Sequence, residues 1–212
     1  MKLQFDLHMH SNYSKDSKMK IESILKKAKK RGLDGIAITD HEEFKGAIKA
    51  EKISKDIIII KGEEIKTEIG DIIGLFLTEE IKTREFDKVI KEIKKQKAIA
   101  VLPHPAMGHI ITDKVIRGVD AIEVFNSRTG KSANQMALNL AKKYKKIPLG
   151  GSDAHTLFEI GYGQTIIESK DKSKKEIKKA LLQGKTTVRG KRPNLSKRGI
   201  IKMLKFWREN VN

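Results

Sequence analysis

Hydrophobic and polar positions along the chain switch repeatedly between a period of two and a period of three to four. Leu3, Phe5 and Leu7 alternate with Lys2, Gln4 and Asp6, which predicts a first strand over 2–8. Ile21, Ile24, Leu25 and Ala28 share one stripe of a helix over 21–31, stopped by Gly32. Gly35 to Thr39 is too short for a helix and reads as a buried strand, followed by a helix over 43–53. The β-branched run Ile57 to Ile60 suits a strand covered on both faces and delivers Gly62-Glu63-Glu64 at its end. The Gly70-Asp71 turn signal before Ile72 to Leu77 predicts a hairpin back along that strand. Phe86, Val89, Ile90 and Ile93 mark a helix over 86–96, and Pro103 halts the strand over 98–102. Strands over 119–125, 147–150 and 163–167 and a helix over 133–144 continue the pattern. The run 185–198 reads as basic and loop-like, before a final amphipathic helix carrying Ile200, Leu204 and Trp207.

Alternating strands and helices argue for parallel strands joined by crossover helices. Polar, ligand-type residues recur at the C-terminal ends of those strands, the rim where barrels of this class gather their chemistry, so the pattern predicts a closed or distorted barrel. With 212 residues and no shift in composition, residues 1–212 form one domain, its basic C-terminal segment being 185–212. The absence of cysteine excludes disulfides and thiolate metal sites, leaving His, Asp and Glu to hold any ion. No signal-type segment or membrane-length apolar run is present, so a soluble, cytoplasmic protein without a membrane partner is expected. A net charge of +18 is spread over nearly every helix, which reads as a solvated, heat-adapted surface that also gathers anionic substrates.

The chemistry concentrates in short stretches. His8 and His10 stand two apart at the end of a strand, so both imidazoles face one space. Thr39-Asp40-His41, Gly62-Glu63-Glu64, Pro103-His104-Pro105 and Gly151-Ser152-Asp153-Ala154-His155 each follow an apolar run. Imidazoles and carboxylates of this kind hold divalent ions, and paired ions can share a hydroxide that attacks an ester phosphorus. His8, His10 and Asp153 would hold one ion, Glu64 would bridge, His104 would serve a second and His41 with His155 a third. Glu63 competes with Glu64, since alternation turns only one of them inward. His109 lies outside the pattern and reads as an ordinary polar residue. Asp6 and Asp40 are candidates to orient imidazoles through their second nitrogens, against plain solvation of a turn or strand edge. Arg128 could fork onto phosphate oxygens or stand exposed without a partner, and Ser11 could contact phosphate or cap its loop.

Taken in order, His8-Met9-His10-Ser11, Thr39-Asp40-His41, Gly62-Glu63-Glu64-Ile65, His104-Pro105 and Gly151-Ser152-Asp153-Ala154-His155 closely resemble the PHP (polymerase and histidinol phosphatase) superfamily. The resemblance implies a distorted (β/α)7 barrel with a cleft for two or three divalent ions, commonly zinc, manganese or iron, and hydrolysis of phosphate esters. It selects Glu64 over Glu63 and makes His8, His10, His41, Glu64, His104, Asp153 and His155 metal ligands. Where many members carry further histidines this chain has Asp16 and Asn126, which the resemblance makes oxygen ligands suited to harder ions. Another such histidine is replaced by Asp71.

The function expected is that of a metal-dependent phosphoesterase, with Glu64, Asp153 and Arg128 as catalytic groups and a metal-bound hydroxide as nucleophile. The substrate expected is a nucleotide or short oligonucleotide. The alternatives are a small phosphomonoesterase like histidinol phosphatase, hydrolysis of a carbon–nitrogen bond by the same ions, and a non-catalytic barrel. The last would bind nucleic acid through Lys185, Arg189, Lys191, Arg192, Lys197 and Arg198.

Overall fold

The structure, a computed structural model, describes residues 1–192; the helix expected at Ile200 to Trp207, together with Lys197 and Arg198, lies outside them. Strand β1 (Lys2–Asp6) forms as its alternation requires, with Leu3 and Phe5 buried and Lys2 exposed. Helix α1 (Ile21–Lys30) turns Ile21, Ile24 and Ala28 inward and leads to β2 (Gly35–Ile38). Helix α2 (Lys45–Ile53) leads in the same way to β3 (Ile58–Thr67). Strands β1, β2 and β3 pair in parallel, Phe5 opposite Gly35 and Ala37 opposite Ile60.

β3 extends well past the expected end at Ile60. It continues through Glu63 and Glu64 to Thr67, because β4 (Gly70–Leu75) returns along it and supplies the ladder, with Glu64 opposite Ile73. The turn takes Gly70 at φ +119°, a conformation open to glycine. Helix α3 (Phe86–Lys95) precedes β5 (Ile99–Leu102), and the short α4 (Asp113–Gly118) precedes β6 (Ala121–Asn126). Helix α5 (Lys131–Lys143) precedes β7 (Ile147–Gly151), and β5, β6 and β7 are again parallel. β8 (Gly163–Glu168) then pairs antiparallel with β1. After α6 (Lys174–Leu182), β9 (Thr186–Gly190) pairs antiparallel with β8.

The run 185–198 is therefore not a loop throughout. Thr186, Thr187 and Val188 favour extended backbone, and the partly exposed strand, carrying Arg189, suits a sheet edge. Two helices were not expected from periodicity. α4 is capped by the Thr112 hydroxyl, which accepts from Val115 N at 3.3 Å. α6 is capped by Ser173, which accepts from Glu176 N at 3.3 Å, and Ser173-x-x-Glu176 is the sequence signature of such a start.

The nine described strands run in the order β7-β6-β5-β4-β3-β2-β1-β8-β9 and curl into the expected α/β barrel, nearly closed and distorted by the antiparallel members β4 and β8. Strand residues divide between two faces. Ala37, Ile60, Val101, Ala121 and Leu149 join Leu3, Phe5 and Leu7 in one buried cluster, while Ile36, Ile38, Ile59, Leu102 and Ile122 pack with the helices in another. Between β7 and β8 the wall is closed by a side chain, since the Thr165 hydroxyl donates to Gly150 O at 2.9 Å and accepts from Gly150 N at 2.8 Å. Beyond β8 the chain after β7 reaches the chain after β1: Asp153 N donates to His8 O at 2.8 Å and His10 N to Ala154 O at 2.9 Å. The end of β7 and the start of β8 approach so closely that a Cβ on Gly163 would lie 1.9 Å from Gly151 O.

Candidate metal centre

β1 delivers His8 and His10 just beyond its last rung, with the intervening Met9 bridged to Ala154 and fully buried. Both imidazoles consequently face one side, their Nε2 atoms 3.2 Å apart. β3 brings Glu64 against them. Its Oε2 lies 3.1 Å from His8 Nε2 and 3.2 Å from His10 Nε2. The segment after β7 adds Asp153, whose Oδ1 is 3.6 Å from His8 Nε2 and 3.3 Å from His10 Nε2. A four-coordinate ion with ligand bonds of about 2.0–2.2 Å requires ligand atoms about 3.3–3.6 Å apart. The separations of His8 and His10 from each other, from Glu64 and from Asp153 run from 3.1 to 3.6 Å, near that requirement, and all four side chains are buried.

Glu64 turns its other oxygen to His104, Oε1 to Nε2 at 3.0 Å, so its two oxygens serve two groups of imidazoles. On the solvent side Asp16 Oδ2 lies 2.9 Å from His155 Nε2 and 3.4 Å from His41 Nε2. Donor atoms of His10, Asp16, His41 and His155 all fall within 4.8 Å of one another, as do those of His8, His10 and Asp153 and those of His8, Glu64 and His104. Three serines of the first loop hold this corner. Ser14 Oγ accepts from His41 N at 2.7 Å and sits 3.3 Å from His10 Nδ1, while Ser17 Oγ donates to His10 O at 3.0 Å. Ser11 is fully engaged, donating from Oγ to Asp40 Oδ2 at 2.6 Å and accepting from Tyr13 N at 3.2 Å, which makes it a loop brace.

The electrostatics are those of a site built around positive charge. Burial alone would depress His8, yet Glu64, Glu123 and Asp153 hold its pKa well above the usual imidazole range. Against the same burial, Asp153 and Glu64 lift His10 to about 9. Glu64 itself is held well below the carboxylate range despite burial, by His8, His10 and His104, and Asp153 is lowered in the same way by His8 and His10. Two of the donors also sit on unusual backbone, His104 at φ +24° and Asp153 at φ +54°.

Several expected roles are redistributed. Asp6 orients no imidazole: Oδ1 accepts from Ser152 N at 2.9 Å and Oδ2 from Gly161 N at 2.8 Å. Asp40 braces Ser11, because alternation turns it away from the neighbouring His41. The carboxylate that does face a second imidazole nitrogen is Glu123, 3.0 Å from His8 Nδ1, a residue without an expected role. Asn126 is brought to the site, but its amide donates to Glu123 Oε2 at 3.0 Å and Asp153 Oδ2 at 3.2 Å, and its Oδ1 accepts from Arg128 N at 2.9 Å. It thus braces two carboxylates, and its Oδ1, the atom able to ligate, also accepts from Arg128 N. Arg128 stands half-exposed at the rim, Nη1 against His155 Nδ1 and 4.0 Å from Asp153 Oδ1. Glu159, also missed in sequence, fastens this rim by accepting from His155 N at 3.0 Å and Thr156 N at 2.8 Å.

Glu63 faces away from Glu64, buried beneath the segment after β4, where its Oε2 accepts from Ile81 N at 2.9 Å. His109 has both ring nitrogens 3.0 Å from carbonyl oxygens, of Met107 and Asp71, and as a neutral imidazole donates to one of them. It nevertheless lies close enough to Asp71 and His104 for the three to offer donor atoms within 4.8 Å. No helix among the described residues is long and apolar enough to cross a membrane.

With this geometry in view, the comparisons are consistent. The family model of the PHP domain matches residues 6–190. An uncharacterised protein of Methanocaldococcus jannaschii is 38% identical over 167 residues, 69% of this chain and 94% of that protein. A two-domain protein of Bacteroides vulgatus containing a predicted PHP-like metal-dependent phosphoesterase superposes with a TM-score of 0.78 at 22% identity, covering 90% of this chain and 65% of that one. This chain therefore spans slightly less than two thirds of that protein's length. A lesion-specific endonuclease of Pyrococcus furiosus superposes with a TM-score of 0.68 at 20% identity, over 93% of this chain and 61% of that one. The low identities of the two structures speak for the barrel alone, but the family match runs from Asp6 to Gly190, across every described donor cluster, and the chain belongs to the PHP domain family.

Proposed function

We propose that this protein is a metal-dependent phosphoesterase acting on a nucleotide or short oligonucleotide. The observation that carries the reading is the buried cage of His8, His10, Glu64 and Asp153, whose donor spacing suits one ion, with His104 on the far oxygen of Glu64. His8, His10, Glu64 and Asp153 would hold one divalent ion, Glu64 and His104 a second, and Asp16, His41 and His155 a third. Such ions supply Lewis-acid polarisation of a phosphoryl oxygen and an activated water. Zinc, manganese and iron all suit imidazole with carboxylate, and Asp16 biases the outer position toward the harder of them.

The chain's own residues do the remaining work. Arg128, half-exposed beside His155 and Asp153, would fork onto non-bridging phosphate oxygens. The net charge of +18 favours a polyanionic substrate, and the same fold serves as a lesion-specific endonuclease in Pyrococcus furiosus. A pure nucleic-acid scaffold is less well supported. Arg189, one of its contact candidates, donates to Gln4 Oε1 at 2.6 Å and Gln164 Oε1 at 2.7 Å, and Lys191 lies over the Tyr162 ring.

The test is phosphate release from mononucleotides, short oligonucleotides and sugar phosphates, using metal-stripped protein reloaded with zinc, manganese or iron. Activity on the nucleotides that falls to background in His8→Ala and Asp153→Ala is expected. Wild-type turnover in either variant would refute it, and preference for sugar or amino-alcohol phosphates would move the assignment to the histidinol-phosphatase-like alternative. Salt-sensitive nucleic-acid binding that survives chelation without phosphate release would favour the scaffold.

A further inference from the structure

Glu123 lies on β6, 3% exposed, and its two oxygens have separate tasks. Oε1 faces His8 Nδ1 at 3.0 Å. Oε2 accepts two hydrogen bonds, from the His104 backbone N at 2.9 Å and from Asn126 Nδ2 at 3.0 Å. Room for this carboxylate exists because residue 151 is glycine, since a Cβ there would lie 2.6 Å from Glu123 Oε1 and 2.4 Å from His8 Cβ.

We infer that Glu123 is a positioning residue that fixes the tautomer of His8 and the backbone of His104, so that both imidazoles present Nε2 to the ions. The inference rests on the metal-dependent reading above. With an acceptor opposite Nδ1, His8 carries a hydrogen on that nitrogen, and a neutral imidazole has only one to place. Nε2 is left as the lone-pair nitrogen, and Nε2 is the atom in the cage with Glu64, His10 and Asp153. The bond to His104 N holds a non-glycine residue at φ +24°, a backbone that would otherwise relax and carry its imidazole off Glu64. Through Asn126, which donates to Asp153 Oδ2 as well, the same carboxylate is linked to the fourth donor. One side chain thereby sets groups delivered by three other segments, from β1, β5 and β7.

Glu123→Gln tests this with minimal change of shape. Two N–H donors converge where Oε2 lies, so the single amide oxygen must occupy that place. The amide NH2 then faces His8 Nδ1, and His8 can accept only by moving its hydrogen to Nε2, inside the cage. Zinc affinity, measured by competition with a chromophoric chelator, is expected to fall about ten- to a hundredfold while circular dichroism stays unchanged. In histidine-selective 15N NMR of zinc-loaded protein, wild-type His8 should show a protonated Nδ1 and a zinc-bound Nε2, and Glu123→Gln should lose that signature.

Equal zinc affinity in the two proteins would overturn the inference while leaving the phosphoesterase reading intact. Wild-type protein that takes up no zinc, manganese or iron would overturn both. Should Glu123→Gln fail to fold, the wild-type spectrum alone decides, because coordination of His8 through Nδ1 contradicts the assignment.

Discussion

Glu63 offers the sharpest quantitative test of the fold, because its burial is one-sided. Oε2 accepts from Ile81 N, whereas Oε1 is buried without a hydrogen-bond partner among the described residues. Desolvation consequently raises its pKa from 4.5 to about 7, against the smaller lowering by the Ile81 N–H and Arg84. A carboxyl with a higher pKa in the folded chain than in the unfolded one binds more protons when folded, so it favours the fold at low pH. That contribution is full below pH 4.5 and is lost as pH rises through about 7. At about 1.4 kcal/mol per pH decade, the loss is about 3 kcal/mol. Glu63→Gln keeps the volume and an acceptor for Ile81 N but cannot ionise. The perturbation should therefore be measured as the stability difference between wild type and Glu63→Gln, by urea denaturation of metal-free protein from pH 4.5 to 8.5. Other groups that titrate in this window, Asp6 and His10 among them, cancel in the difference. The variant should gain about 3 kcal/mol on wild type across the range, or a relative rise of about 6–12 °C in Tm. Curves that stay parallel from pH 4.5 to 8.5 would show that the carboxyl finds solvent or a partner, and the burial argument would fail.

Three further outcomes follow from the same structure. Because His10 is raised to about 9, with His8 and His104 also raised, protons occupy the imidazoles of the metal-free site near neutral pH. Zinc loading should then release about one proton or more per ion and tighten from pH 6 to 9, which calorimetry in buffers of different ionisation enthalpy would reveal; pH-independent binding would contradict it. Gly46→Ala would place a Cβ 2.0 Å from Asp40 Oδ2 and 2.8 Å from Ser11 Oγ, forcing that pair apart. A loss of about 1–3 kcal/mol in thermal or chemical unfolding is expected, and an unchanged Tm would refute the contact. Thr165→Val should cost about 1–3 kcal/mol by stranding the Gly150 N–H and C=O, whereas Thr165→Ser should behave like wild type in the same urea titration.

What could be read from the sequence was whatever depends on local period. His8 and His10 share a face because a strand repeats every two residues, and Glu63 and Glu64 part for the same reason. The barrel followed from strands and helices in alternation, and the donor-bearing segments from apolar runs that end in imidazole or carboxylate. Roles set by distant partners were hidden. Glu123 looked like any strand glutamate because its partners His8 and His104 lie on other strands, and only the closed barrel brings them to it. Asp6 and Asp40 drew attention through proximity in sequence to His8 and His41, yet each turned to backbone or serine donors. The edge strand β9 was obscured by Arg189 within it and by Lys185, Lys191 and Arg192 beside it, a composition shared by loops and exposed sheet margins. Ser173 and Glu176 did advertise the start of α6, a signal available to capping chemistry but not to hydrophobic periodicity.

Elsewhere the barrel wall is laced by main-chain ladders, but at the β7–β8 seam one threonine hydroxyl does the lacing. His8 and His10 follow β1, the neighbour of β8, and Asp153 follows β7, so the three meet at the mouth of that seam. A cation gripped by all three would add a rivet at the mouth of that seam, beside the main-chain bonds from Asp153 to His8 and from His10 to Ala154. Catalytic competence and the stiffness of that rim would then share one fastening.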